Sequence, residues 1–390
     1  MLLPASPPLF SWDTLPVFMH GQNVSGPLNA TALRFMSQFP LVTIGGGQDL
    51  GSELCCNEEK VAVAAAAIKA HNASVRVMYY LNSIINFPQT HLHAALAGAN
   101  ASRLLLRDAR GELVYLGQCG RMRGVNHTLF DHSQPAMRAM WTANAAGVLR
   151  ANRGLVDGVF ADRAGNATVA AEIDLSCVDF APGQLRAWDA GHWQAIADTQ
   201  AAVSAITPTG IVVANGADQT AAMGLREGSS PWLARMFENF VPLRRTNVPA
   251  TDQLAVLASE GTIAEVHADF CEFDSAVYNG SLAAFLIGAR AYSYYACTGN
   301  ARQQGWGMDQ GWDQFSADYR RPLGAPLGNA TLSRNGTVWQ RKFSAGAVAY
   351  LDVSAENGTS WGVGCVRWGD GHVTGAPGCD KAPWTAAEQE

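Results

Sequence analysis

The sequence predicts an α/β chain, a (β/α)8 TIM barrel followed by a small antiparallel β domain. Three observations carry that expectation. Eight short apolar runs alternate with longer helical stretches, several runs end in polar or acidic residues, and the texture changes past Gly299. Eight strands alternating with helices match a closed parallel barrel better than a doubly wound sheet, although an open α/β sheet shares the same periodicity.

The expected strands are Pro16–Asn23, Leu41–Gly47, Val75–Ser83, Val156–Arg163, Ile211–Gly216, Arg235–Phe240, Thr262–Phe270 and Ala291–Thr298. Each is brief, rich in Val, Ile, Phe or Tyr, and near-continuously apolar at its start, as for a strand buried on both faces. Between them the helices have readable ends. Ser133 and Pro135 open one, Met137, Met140, Trp141, Ala145, Val148 and Leu149 share a face of it, and Gly154 closes it. Asn57–Glu58–Glu59 begins another that runs through an Ala-rich segment. Trp188–Ile206, Asp252–Glu260 and Leu282–Ala289 fill the same role later.

Residues 301–318 have no helical period and read as a long loop. From Asn329 onward, Asn-Gly turns at Asn335 and Asn357 separate short alternating runs, the pattern of antiparallel hairpins. The expected division is an N-terminal extension over 1–15, a barrel over 16–321, a β domain over 322–376 and a tail over 377–390.

Composition narrows the function classes. The 390 residues carry a net charge of -6 with few charged side chains, which gives no electrostatic reason to expect nucleic acid or an anionic membrane. No window holds about 20 apolar residues, so no membrane-spanning helix is expected. Ten Asn-x-Ser/Thr sequons stand at Asn23, Asn29, Asn72, Asn100, Asn126, Asn166, Asn279, Asn329, Asn335 and Asn357. Chance would place roughly two or three in such a length. The excess points to a secreted, luminal or cell-surface protein. Met1 to Phe10 lacks a basic start and is broken by prolines, so it does not read as a signal peptide. Eight cysteines could form up to four bridges, and they lack the C-x-x-C spacing of a zinc site. Cys365 and Cys379 are expected to close a loop, and adjacent Cys55 and Cys56 to join two different partners.

In such a barrel functional groups gather where strands end. The expected strands end in His20 and Gln22, Gln48, Tyr80 and Asn82, Asp162 and Arg163, Asn215, and Glu238 and Asn239. The seventh offers Glu265, His267 and Asp269, and the eighth Tyr294 and Tyr295. Amides, carboxylates and hydroxyl-bearing rings suit an oligosaccharide or polysaccharide, whose every hydroxyl needs a donor and an acceptor. The Gly45–Gly46–Gly47 run lacks the Lys-Ser/Thr of a phosphate loop and reads as a tight turn. The strongest signal is DGVFADR, which delivers Asp162 at the end of a buried strand, on the face of Gly158 and Phe160. Its alternative role is to cap the next helix or pair with Arg163. Glu238, among Met236, Phe237 and Phe240, is the natural second carboxylate of a glycosidase. It is otherwise a salt-bridged rim residue, and Glu265 could take its place.

No cofactor or metal is called for. His91-x-His93 resembles a metal pair but reads as a surface pair in a loop beside no carboxylate, and His20 lacks the H-x-H of amidohydrolases. No G-x-S-x-G nucleophile elbow appears.

The stretches PVFMHGQN, FPLVTIGGGQ, VRVMYYLNS, FDHSQPAMRAMW and DGVFADR together resemble the hypothetical glycosyl-hydrolase-like TIM-barrel family with a C-terminal β domain. In that group a strand ending Tyr-Trp-Asn precedes an Asp-x-(Ser/Thr)-x-Pro helix start and an Asp-Gly-(Val/Ile)-Phe-x-Asp strand. The matching positions here are Tyr79–Asn82, Asp131–Pro135 and Asp157–Asp162, with Leu81 where the group carries an aromatic. The resemblance covers most of residues 16–376. It implies glycan hydrolysis, with Asp162 as nucleophile or base, Glu238 as general acid and Asp131 in the substrate site. A barrel that has lost catalysis and binds carbohydrate as a lectin is the alternative.

Overall fold

The structure, a computed structural model, describes residues 8–98, 100–119, 126–164, 175–216, 233–238, 240, 263–269, 271–298, 315–333, 336–355, 361–375 and 379. Eight strands follow one another in sheet order: β1 (Met19–Gly21), β2 (Leu41–Ile44), β3 (Arg76–Asn82), β4 (Gly158–Asp162), β5 (Ile211–Asn215), β6 (Leu233–Phe237), β7 (Ala264–Asp269) and β8 (Ser293–Thr298). The registered pairs β2–β3, β3–β4, β4–β5 and β7–β8 are parallel. Val17, just before β1, bridges Tyr295 of β8 in parallel, so the last strand adjoins the entry to the first. The barrel-like sheet is thus the one the alternation predicts, with each strand shorter than its apolar run.

The helices are α1 (Ala30–Met36), α2 (Asn57–His71), α3 (His91–Leu96), α4 (Pro135–Ala151), α5 (Gln184–Ile206) and α6 (Ala276–Gly288). Pro135 occupies the first turn of α4, where its missing N–H costs nothing. The expected helix at Asp252–Glu260 lies outside the described residues. Two helices begin earlier than expected. α5 starts at Gln184, after Gly183 in the left-handed region at φ 81°. α6 starts after Ser275, whose side chain accepts from Tyr278 N. Its residues from Tyr278 on are buried all round, so it shows no amphipathic edge to mark its start.

The chain divides into two compact units, one built on His20–Arg235 and the other on Leu9–Met19 with Met236–Glu390. In the first, α4 and α5 pack together, with the hydroxyls of Thr142 and Thr199 meeting at 3.0 Å, and each helix buries a large ring, Trp141 and Trp188. The start of β4 is pinned electrostatically. Asp157 meets Lys69 at 2.8 Å and Arg76 at 2.9 Å, and accepts from Val77 N. A Cβ on Gly158 would lie 2.1 Å from the Ile211 carbonyl oxygen, so only glycine lets β4 approach β5 this closely.

In the second unit a five-stranded antiparallel sheet forms in the order β13 (Val373–Gly375), β12 (Val363–Arg367), β11 (Val348–Asp352), β10 (Val338–Lys342), β9 (Thr331–Leu332). This sheet packs on α6. Arg341 of β10 donates to the carbonyls of Leu286, Ile287 and Ala289, satisfying the end of that helix.

Four cysteine pairs lie at disulfide distance: Cys55–Cys56, Cys119–Cys177, Cys271–Cys297 and Cys365–Cys379. The Cys365–Cys379 loop is as expected. Cys55 and Cys56, expected to reach different partners, instead pair with each other. The other six are already matched, so neither has anywhere else to go. His91 corrects a second expectation. It opens α3, because the Thr90 hydroxyl caps His93 N, and it stands beside the carboxylate of Glu59.

Candidate active site

Alternation along β3 and β4 assembles the site before any side chain is considered. Tyr80 pairs in register with Phe160, and Asn82 with Asp162, so all four side chains share one face. The Asp162 carboxylate is then fixed by four donors. Tyr80 Oη at 2.6 Å and Asn82 Nδ2 at 2.9 Å donate to Oδ2; Asn215 Nδ2 at 2.8 Å and the Arg163 backbone N–H at 2.9 Å donate to Oδ1. Three adjacent strands therefore orient one acid at the C-terminal ends of β3, β4 and β5. Arg163 adopts φ 57°, a left-handed conformation that costs a side-chain-bearing residue about 1–3 kcal/mol, and this turn points its N–H back at Asp162.

Below the carboxylate lies an aromatic floor. Tyr80 stacks on Phe160 at 6.0 Å, and His20 sits edge-on to Phe160 at 4.5 Å. Burial lowers the His20 pKa to about 3, against an opposing pull from Asp162, so its imidazole is neutral. A Cβ on Gly46 would lie 2.8 Å from the Tyr80 ring, so the triple-glycine turn closes directly on this ring.

Behind the site is a layer that sequence reading missed. Ser83 donates both its N–H, at 2.9 Å, and its hydroxyl, at 2.6 Å, to the Asp162 carbonyl. With that hydroxyl proton committed, His192 Nε2 donates to Ser83 Oγ at 2.8 Å, while His132 Nε2 donates to the Ser83 carbonyl at 2.5 Å. The two imidazoles stack at 5.3 Å, and neither Nδ1 has a partner, the arrangement of two neutral rings. Burial lowers the pKa of His132 to about 4 and that of His192 well below the ordinary value. The available signals were modest: Ser83 follows Asn82 directly, and His132 lies within the DHSQP helix start.

The other expected site residues have different placements. Gln22 Oε1 accepts from Gly47 N at 2.7 Å, and Gln48 accepts from Asn23 N and donates to the Gly26 carbonyl, so both hold loops. Asp131 accepts from Ser133 N–H and hydroxyl and from Gln134 Nε2, shaping the turn into α4. In the second unit, Glu238 is half-buried directly after β6, beside fully buried Met236, Phe237 and Phe240. Asn239 lies outside the described residues. Glu265 lies inside its strand, as expected, as the second residue of β7, and burial raises its pKa well above the carboxylate range. His267 Nε2 contacts Thr298 Oγ1 at 2.5 Å. Tyr295 turns to the helix layer, where its hydroxyl meets Ser281 at 2.7 Å and its ring packs on Phe285.

The family model for hypothetical glycosyl hydrolase family 15 matches residues 69–347, well over half of the sequence. The chain belongs to that family. The matched stretch of this family member carries Tyr80, Asn82, Ser83, Asp162 and Asn215 together. No curated protein matches the sequence. Among solved structures, a variant of the GH36 alpha-galactosidase AgaA from Geobacillus stearothermophilus in complex with raffinose is similar at 13% identity and TM-score 0.45, over 91% of this chain and 49% of that one. The cyclic alpha-maltosyl-(1-->6)-maltose hydrolase from Arthrobacter globiformis in complex with maltose is similar at 10% identity and TM-score 0.44, over 87% and 91%. The family member thus spans about half the length of the galactosidase it resembles.

Proposed function

We propose that this chain hydrolyses glycosidic bonds of a polysaccharide or glycan, with Asp162 as nucleophile or base and Glu238 as general acid. The observation that carries the reading is the Asp162 carboxylate, held by four donors from three strand ends while its backbone carbonyl is held by Ser83. A nucleophile or base must be aimed before substrate arrives, and locked rotamers supply that aim. Family membership supports the reaction class. Glu238 follows a strand of the same sheet, two strands on from Asp162 in the order, with apolar neighbours suited to a protonated acid. The barrel over 16–321 is the catalytic part in this reading, and the β domain over 322–376 its appendage. A secretory or cell-surface location fits the four disulfides and the sequons, although Asn279 is buried within α6 and is closed to glycosylation in the folded chain.

The test is a panel of aryl glycosides and polysaccharides assayed with the unmodified protein and with Asp162→Asn. Hydrolysis that falls about a hundredfold or more in the variant, with glycan binding retained, is the expected result. Glycan binding by an unmodified protein that cleaves nothing on the panel would replace the enzyme with the lectin.

A further inference from the structure

We propose that Glu58, Glu59 and His91 hold a divalent transition-metal ion of the Zn2+ class, at a site distinct from Asp162. The three side chains come from the first turn of α2 and the first residue of α3, and their ligand atoms lie within 4.8 Å of one another. A tetrahedral ion with bonds of 2.0–2.2 Å sets its ligand atoms about 3.4 Å apart, so the ion would replace the direct contact between Glu59 and His91 and draw the remaining ligand atoms closer together.

The hydrogen bonds distinguish this cluster from ordinary acids at a helix start. Glu58 is 7% exposed, and all its partners converge on one oxygen. Oε1 accepts from Tyr79 Oη at 3.1 Å, Asn144 Nδ2 at 3.0 Å and His91 N at 3.1 Å. Oε2 is buried with no partner, and so is Oε2 of Glu59. Pinning one carboxylate oxygen while leaving the other bare is how outer-shell groups orient a metal ligand. The first-turn position of both acids and the contact of Glu59 Oε1 with His91 Nε2 at 2.5 Å satisfy the helix dipole and one oxygen. They leave both Oε2 atoms unexplained. A cavity of about 600 Å³ between α2, α3 and α4 opens on these three residues and gives an ion and its water ligands a way in. Its remaining walls include Ala62, Leu92, Met140 and Ala143. Cys56 Sγ lies in the same cluster, but in the Cys55–Cys56 disulfide it offers no thiolate and receives no ligand role here.

The experiment titrates Zn2+ alone into the full chain by calorimetry, after chelator treatment and desalting, without reductant. One ion per chain is expected, with only nitrogen and oxygen neighbours in the zinc X-ray absorption spectrum. His91→Ala, a change at a half-exposed side chain, abolishes binding while the circular dichroism melt is kept. Asn144→Ala, which removes a donor from the pinned oxygen, weakens binding about 10–100-fold. Absence of Zn2+ binding by the unmodified chain overturns the proposal. So does undiminished binding by His91→Ala, or sulfur in the zinc coordination shell. Because the readout is metal binding, the result is independent of whether the chain hydrolyses glycans.

Discussion

Tyr80 donates its hydroxyl to Asp162 over 2.6 Å, while its neighbour Tyr79 sends its own hydroxyl the opposite way, to Glu58. Adjacent residues of β3 thus serve the barrel interior and the helix layer, as strand alternation requires. The same strand ends in Asn82 and is followed by Ser83, so one short segment supplies three of the residues that fix Asp162.

Tyr80→Phe removes one donor from the carboxylate and leaves the ring against Gly46 and Phe160. A hydrogen bond to a charged group is worth about 1.5–3 kcal/mol, so kcat/KM on the best substrate of the panel should fall about 10–100-fold. The thermal midpoint should stay within a few degrees. Unchanged kinetics would show that the reaction does not depend on how this hydroxyl holds Asp162.

Gly158→Ala forces a methyl group against the Ile211 carbonyl oxygen, 2.1 Å from where its Cβ must sit. Strand β4 must then move away from β5, at a cost of about 1–3 kcal/mol read from urea unfolding. Because Asp162 ends the same strand, activity should drop with stability. A variant as stable as the parent would mean that the two strands are not held this closely.

The buried histidines make the fold acid-sensitive. His132, with a folded pKa of about 4, and His192, shifted the same way, are neutral when folded but protonate near pH 6.5 when unfolded. The unfolded chain therefore binds more protons below that pH. Their stabilising contribution is complete above pH 6.5 and is lost as the pH falls toward 4, by up to about 1.4 kcal/mol per pH unit for each ring. Urea titrations at pH 7, 6 and 5 should show this slope. His192→Gln keeps a donor for Ser83 and should flatten it by one ring's share; equal slopes in the two proteins would assign the sensitivity elsewhere.

The pattern of residues alone determined the eight strands, their order and the position of Asp162, because strand burial and helix amphipathicity leave periodic marks along a chain. Asp157 and Gly158 were visible as a motif, but their work as an ion-pair anchor and a close-approach point appeared only with Lys69, Arg76 and Ile211 around them. Tertiary structure alone decided that Asp131 shapes a turn, that Tyr295 faces the helix layer, and that Cys55 pairs with Cys56. It also brought Ser83, His132 and His192 behind Asp162, and His91 to Glu58 and Glu59. The last two sets join segments tens of residues apart, and even for the local contacts a linear pattern records which faces are buried without recording what each polar group meets.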